Sequence, residues 1–154
     1  MLGVLGLPKT FSLRSILGFS DEETVKLDFD QMSFSEVKKW AFRTLKHFKL
    51  KGFIILKSSK NCYHVIFDRM VSWAENLSVV AWVALLSHNR GLSRYLIMQC
   101  IKKCSTVRVS AKKEKASPRI VFRFGDKGEN ITEFLKYRQL IKEIAQEMLK
   151  NRDF

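Results

Sequence analysis

Hydrophobic and polar positions in this chain repeat with two different periods, and the switches between them mark out its elements. Residues 24–30, TVKLDFD, form a short apolar run with Asp28 and Asp30 two apart, the spacing that puts both on one face of a strand. From Ser33 the period lengthens. Phe34, Val37, Trp40, Ala41, Leu45 and Phe48 recur at helical spacing, and Ser33 with Glu36 three residues on has the form of a capping box. Gly52 opens a second strand, GFIILKSS, a turn follows at SKN, and NCYHVIFDR returns beside it, so residues 52–68 read as a hairpin. A second helix fits 71–86 and a third, shorter one fits 92–103, separated by the HNRG turn. STVRVSAK alternates as a strand, KEKASP is a loop, and PRIVFRF is a further strand. Gly125 and Gly128 frame a turn, and residues 130–151 close the chain as an amphipathic helix.

The resulting order, β-α-β-β-α-(α)-β-β-α, predicts an α+β protein. Its core is a ferredoxin- or RRM-like split β-α-β sheet with an added hairpin strand and a C-terminal helix. In that arrangement the first strand is central, which sets Asp28 and Asp30 beside the hairpin bearing Ser58, Ser59 and His64. Residues 1–20 read as an arm, flexible or docked on a partner, and 21–154 as one domain. Trp40, Trp73 and Trp82 fall on helices and are expected in the core.

Charge narrows the partners. Lys and Arg number 28 against 15 Asp and Glu in 154 residues, a net charge of +13, which favours a polyanion, nucleic acid before an anionic membrane. The three cysteines, Cys62, Cys100 and Cys104, lack CxxC spacing and are expected as buried free thiols in a reducing, cytoplasmic setting. No run approaches the ~20 apolar residues of a membrane span, and the opening segment lacks the parts of a signal peptide.

Two carboxylates on one strand face repel unless a cation lies between them, either a metal ion or Lys and Arg from neighbouring strands. LDFD, a helix, and then a hydrophobic strand running into KSSKNCYHVIF together resemble the archaeo-eukaryotic primase superfamily, in the manner of a small plasmid or viral member. The likeness covers residues 24–68, and loosely 105–127. It implies metal-dependent nucleotidyl transfer in primer synthesis or extension. Asp28 and Asp30 would hold Mg2+ or Mn2+ in a two-metal site, and His64, Ser58 and Ser59 would contact a nucleoside triphosphate. Lys57 and Lys60 would add charge there; Arg108, two residues before Ser110 on STVRVSAK, reads separately as either a phosphate contact at the same site or an ion-pair partner of Asp28 or Asp30. Lys112, Lys113, Lys115, Arg119 and Arg123 would form a basic rim for single-stranded DNA, and the arm would meet a replication protein. The family's third acidic ligand has no counterpart in STVRVSAK, the nearest acid being Asp126. The alternative is therefore a primase-like module without catalysis that binds nucleic acid or a replication protein. A rolling-circle nuclease would need a second histidine two residues from His64, and a PD-(D/E)xK nuclease an acid at Ile55; neither is present.

Overall fold

The computed structural model describes residues 17–112 and 115–151; the arm as far as Ile16 and the predicted site residue Lys113 lie outside them. Ten elements follow one another: β1 Gly18–Asp21, β2 Lys26–Phe29, α1 Phe34–His47, β3 Gly52–Ser59, β4 Cys62–Asp68, α2 Trp73–Ser87, α3 Arg90–Lys102, β5 Ser105–Arg108, β6 Arg119–Phe124 and α4 Glu129–Lys150. The protein is α+β, with four strands in the order β2-β4-β3-β6 and a separate ribbon of β1 with β5, antiparallel throughout. The split β-α-β unit is present, since β4 lies between β2 and β3.

The edges differ from expectation. β2 is an edge strand rather than a central one, because β6 joins the sheet beside β3 and not beside β2. The place next to β2 goes to the ribbon. Residues 18–21, read from the sequence as arm and polar break, form β1 and pair with only the first four residues of STVRVSAK. A local polar network supplies the reason. Lys26 is fully buried, and its ammonium donates to Asp21 Oδ1 at 2.7 Å, Ser105 Oγ at 2.7 Å and the Thr24 carbonyl at 3.2 Å. A buried charge needs such partners, and satisfying this one draws β1 and β5 together over the end of β2.

β3 and β4 read as continuous apolar runs because both of their faces are covered. Phe53, Ile55, Tyr63, Val65 and Phe67 pack with Val37 and Ala41 of α1 and Val79, Val80 and Val83 of α2. Ile54, Leu56 and Ile66 face the other way, onto Ile131, Phe134 and Ile141 of α4 and Val107 of the ribbon. Ser33 caps α1 by accepting from the Glu36 amide, as its spacing predicts, and Ser72 and Asn89 cap α2 and α3 in the same way. Trp40 and Trp82 pack edge to face at 6.3 Å beside the α1–α2 core. The cysteines are free, but they are not buried: Cys100 is exposed and the other two are half-buried. Among the described residues no helix is long and apolar enough to cross a membrane.

Candidate functional site

β2 and β4 pair so that Asp28 stands directly opposite His64, and β3 adds Leu56 opposite the same histidine. Cross-strand partners share a face, so Asp28 and His64 both point to the side covered by the ribbon and α4. There His64 Nε2 lies 3.4 Å from Asp28 Oδ1, and His64 Nδ1 is buried without a hydrogen-bond partner. Burial, reinforced by the charge of Arg108, lowers the imidazole to about 4, so at neutral pH the ring is uncharged and the contact is not an ion pair. Burial also raises the Asp28 carboxyl to about 7, with the charge of Asp30 adding to the effect and Arg108 and Lys115 opposing it.

Arg108 is the pivot of the region. Its guanidinium donates to the carbonyls of Ser110 at 2.6 Å, Ala116 at 3.1 Å and Ser58 at 3.2 Å, tying the ribbon and the β5–β6 connection to the end of β3. That tie brings two predicted groups together. Lys57, Ser58, Ser59 and Lys60 from the hairpin and Lys115, Ser117 and Arg119 from the β5–β6 segment line one cleft of about 360 Å3. No carboxylate is among the described residues lining it. The Ser58 hydroxyl donates to the Cys62 carbonyl at 3.2 Å, and Asn61 takes a left-handed φ of 55° to close the turn, so hairpin chemistry and the cleft share these residues. Lys112 and Lys115 form a small antiparallel bridge at the tip of the β5–β6 connection. Arg123 is elsewhere: it pairs with Ile54 on the α4 face and makes a 3.1 Å ion pair with Asp126. The acid considered nearest to a third ligand is thus engaged away from Asp28.

Asp30 does not follow Asp28 into this cluster. It lies past the end of β2, just before Gln31, whose φ is 50°. Its backbone is clasped by Asn89, which donates to the Asp30 carbonyl at 2.7 Å and accepts from the Asp30 amide at 3.3 Å. A Cβ at Gly91 would come within 2.5 Å of the Asp30 side chain. Asp30 therefore sits against the first turn of α3, where the exposed amides and helix dipole favour a carboxylate. For Asp28, cations from neighbouring segments, Arg108 and Lys115, offset part of the cost of burial, while Asp30 is received by a helix end, an arrangement outside the two the sequence left open. Among the described residues, no three His, Cys, Asp or Glu side chains converge as a cation-holding group.

No family model, curated protein or solved structure matches the chain. The likeness to primases thus rests on LDFD and KSSKNCYHVIF. Two participants carried no sequence signal. Tyr95 of α3 is 8% exposed, and burial and the Asp28 charge push its phenol well above the ordinary value; in the sequence it is one more apolar position of a helix. Asn89 reads there only as part of a turn, yet it both caps α3 and fixes Asp30.

Proposed function

We propose that this protein binds nucleic acid through the cleft between the β3–β4 hairpin and the β5–β6 connection, as a primase-like module. The observation that carries this is the convergence of Lys57, Lys60, Lys115 and Arg119 with three serines on a cleft that no carboxylate lines among the described residues. Four cations and several hydroxyl donors suit phosphate oxygens, and the net charge of +13 draws a polyanion towards them. We infer a cytoplasmic setting from the same reading. The test is fluorescence anisotropy with a labelled single-stranded oligonucleotide over a salt series. Lys60→Glu with Lys115→Glu weakens binding and flattens the slope of log affinity against log salt by about 1–2; unchanged affinity and slope would exclude the cleft.

Nucleotidyl transfer is the second reading, favoured by the electrostatic coupling of Asp28 to Asp30 beside a neutral His64. Asp28 would hold Mg2+ or Mn2+ together with phosphate oxygens of a bound nucleotide, a division of ligands common for Mg2+, while Asp30, seated at the start of α3, would add its charge from nearby. The ion would supply charge neutralisation on the phosphates and an activated hydroxyl. The chain's own residues have separate tasks. Lys57, Lys60 and Lys115 bind the polyphosphate, Arg108 holds the two walls of the cleft in register, and His64 presents an uncharged ring beside the reacting region. Primer synthesis on single-stranded DNA that is lost in Asp28→Ala/Asp30→Ala supports transfer; DNA binding with no synthesis in the wild type leaves a binding module.

A further inference from the structure

The basic cleft does not end at the hairpin. Lys57 and Arg119 are cross-strand partners, and Tyr63 pairs with Lys57 from the other side, so all three share the face covered by α1. Further along β6, Phe122 and Phe124 pair with Ile55 and Phe53 on that same face; the bulge between Ile55 and Leu56 keeps Arg119 in line with them. From Tyr63 the rings step outward in van der Waals range: Phe34 at 5.9 Å, Phe122 at 6.4 Å from Phe34, Phe42 at 6.1 Å from Phe122, and Phe124 at 4.9 Å from Phe42. The first ring is 5% exposed and the last is 43% exposed, so the row surfaces at the far end of the strand. Lys38 of α1 lies over the Phe122 ring at 4.4 Å. Among the described residues, no strand pairs with the outer edge of β6.

We propose that the surface where α1 meets the outer edge of β6 is a track for single-stranded nucleic acid. Backbone phosphates leaving the cleft are held by Arg119 and then Lys38, and an unstacked base lies on Phe124. Cations interleaved with an exposed aromatic ring are what single strands need and duplexes cannot use, since duplex bases are already stacked. A Lys38 ammonium that swings to a phosphate also uncovers the Phe122 face for a second base, exchanging a cation–π contact for a charge-assisted hydrogen bond. The track rests on the nucleic-acid assignment of the cleft and adds to it a strand preference and a direction.

The experiment compares wild type, Phe124→Leu and Phe124→Trp in anisotropy titrations with one fluorescein-labelled single-stranded DNA and with the same sequence as a blunt duplex. Phe124→Leu weakens single-strand binding by about 5- to 100-fold, the range found for loss of one stacking ring. Its salt slope stays at the wild-type value, because no phosphate contact is removed, and duplex affinity is unchanged. Phe124→Trp restores tight single-strand binding, which separates stacking from any damage to the fold. Single-strand affinity in Phe124→Leu equal to wild type, or an equal loss on the duplex, overturns the track. If Lys60→Glu/Lys115→Glu still weakens binding in that case, the cleft stands without it; if the wild type binds neither DNA, cleft and track fall together.

Discussion

Replacing Asp28 by asparagine tests the electrostatics of the site with almost no change of shape. The Asp28 carboxyl titrates near 7 in the fold against an ordinary 3.8, so between those values the native state keeps a proton that the unfolded chain has released. Its contribution to stability is complete below pH 3.8 and is lost as pH rises through about 7. At ~1.36 kcal/mol per pH unit, the interval gives a ceiling of ~4 kcal/mol. The side chain is 36% exposed, however, and solvent screening reduces the penalty to about 1–2 kcal/mol. His64 acts in the opposite sense. Its folded value of about 4 against an ordinary 6.5 means stability is complete above pH 6.5 and lost as pH falls through about 4. In the wild type the two slopes oppose each other over this window; in Asp28→Asn only the histidine slope remains. Thermal unfolding followed by circular dichroism at pH 5 and pH 8 reads the difference. The variant melts about 1–3 °C above the wild type at pH 5, where over a third of the interval from 3.8 to about 7 has been crossed, and about 3–6 °C above it at pH 8, on the usual scale of ~2–4 °C per kcal/mol for a domain of this size. A gain that is the same at both pH values, or a loss at pH 8, would refute the reasoning, the latter by showing that ionised Asp28 is held favourably by Arg108.

Three further substitutions probe the supports of the site. Asp21→Ala strands the fully buried Lys26 ammonium without its carboxylate and costs about 3–5 kcal/mol in urea unfolding; a cost under ~1 kcal/mol would mean that Ser105 and Thr24 suffice. Arg108→Met removes the donors to three carbonyls, lowering stability by about 2 kcal/mol and single-strand affinity with it; retained affinity would show that the cleft walls hold without the tie. Gly91→Ala pushes a methyl into the Asp30 side chain and destabilises by about 1–3 kcal/mol. Asp30→Gly in the same background relieves most of that loss, and absence of such rescue would separate Gly91 from Asp30.

Much of the architecture was legible because it depends on local pattern. The helical period from Phe34 to Phe48, the capping serine before it, and the apolar runs of β3 and β4 joined by a polar turn each specify their element through nearby residues alone. The continuous runs also carried a hidden tertiary fact, since strands without alternation are buried on both faces, here by α1 and α2 on one side and α4 on the other. The residues of the basic cleft were recognisable by type for the same reason, as cations and hydroxyls at a hairpin tip and in a charged loop.

Which strands became neighbours was another matter. Periodicity fixes the face a residue occupies but not the strand beside it, and β6 next to β3, with β2 at the edge, is set by packing between residues distant in sequence. β1 carries almost no strand signal, being four residues with Phe19 as the sole large apolar side chain; the buried Lys26, whose partners lie on either side of the ribbon, makes it a strand. The two aspartates show the division most plainly. Sequence placed them two apart and so on one side of the chain, which is a local property. Only the folded structure could turn one towards His64 and Arg108 and the other onto the start of α3, because the charges and dipoles that receive them come from segments about 35 to 80 residues away.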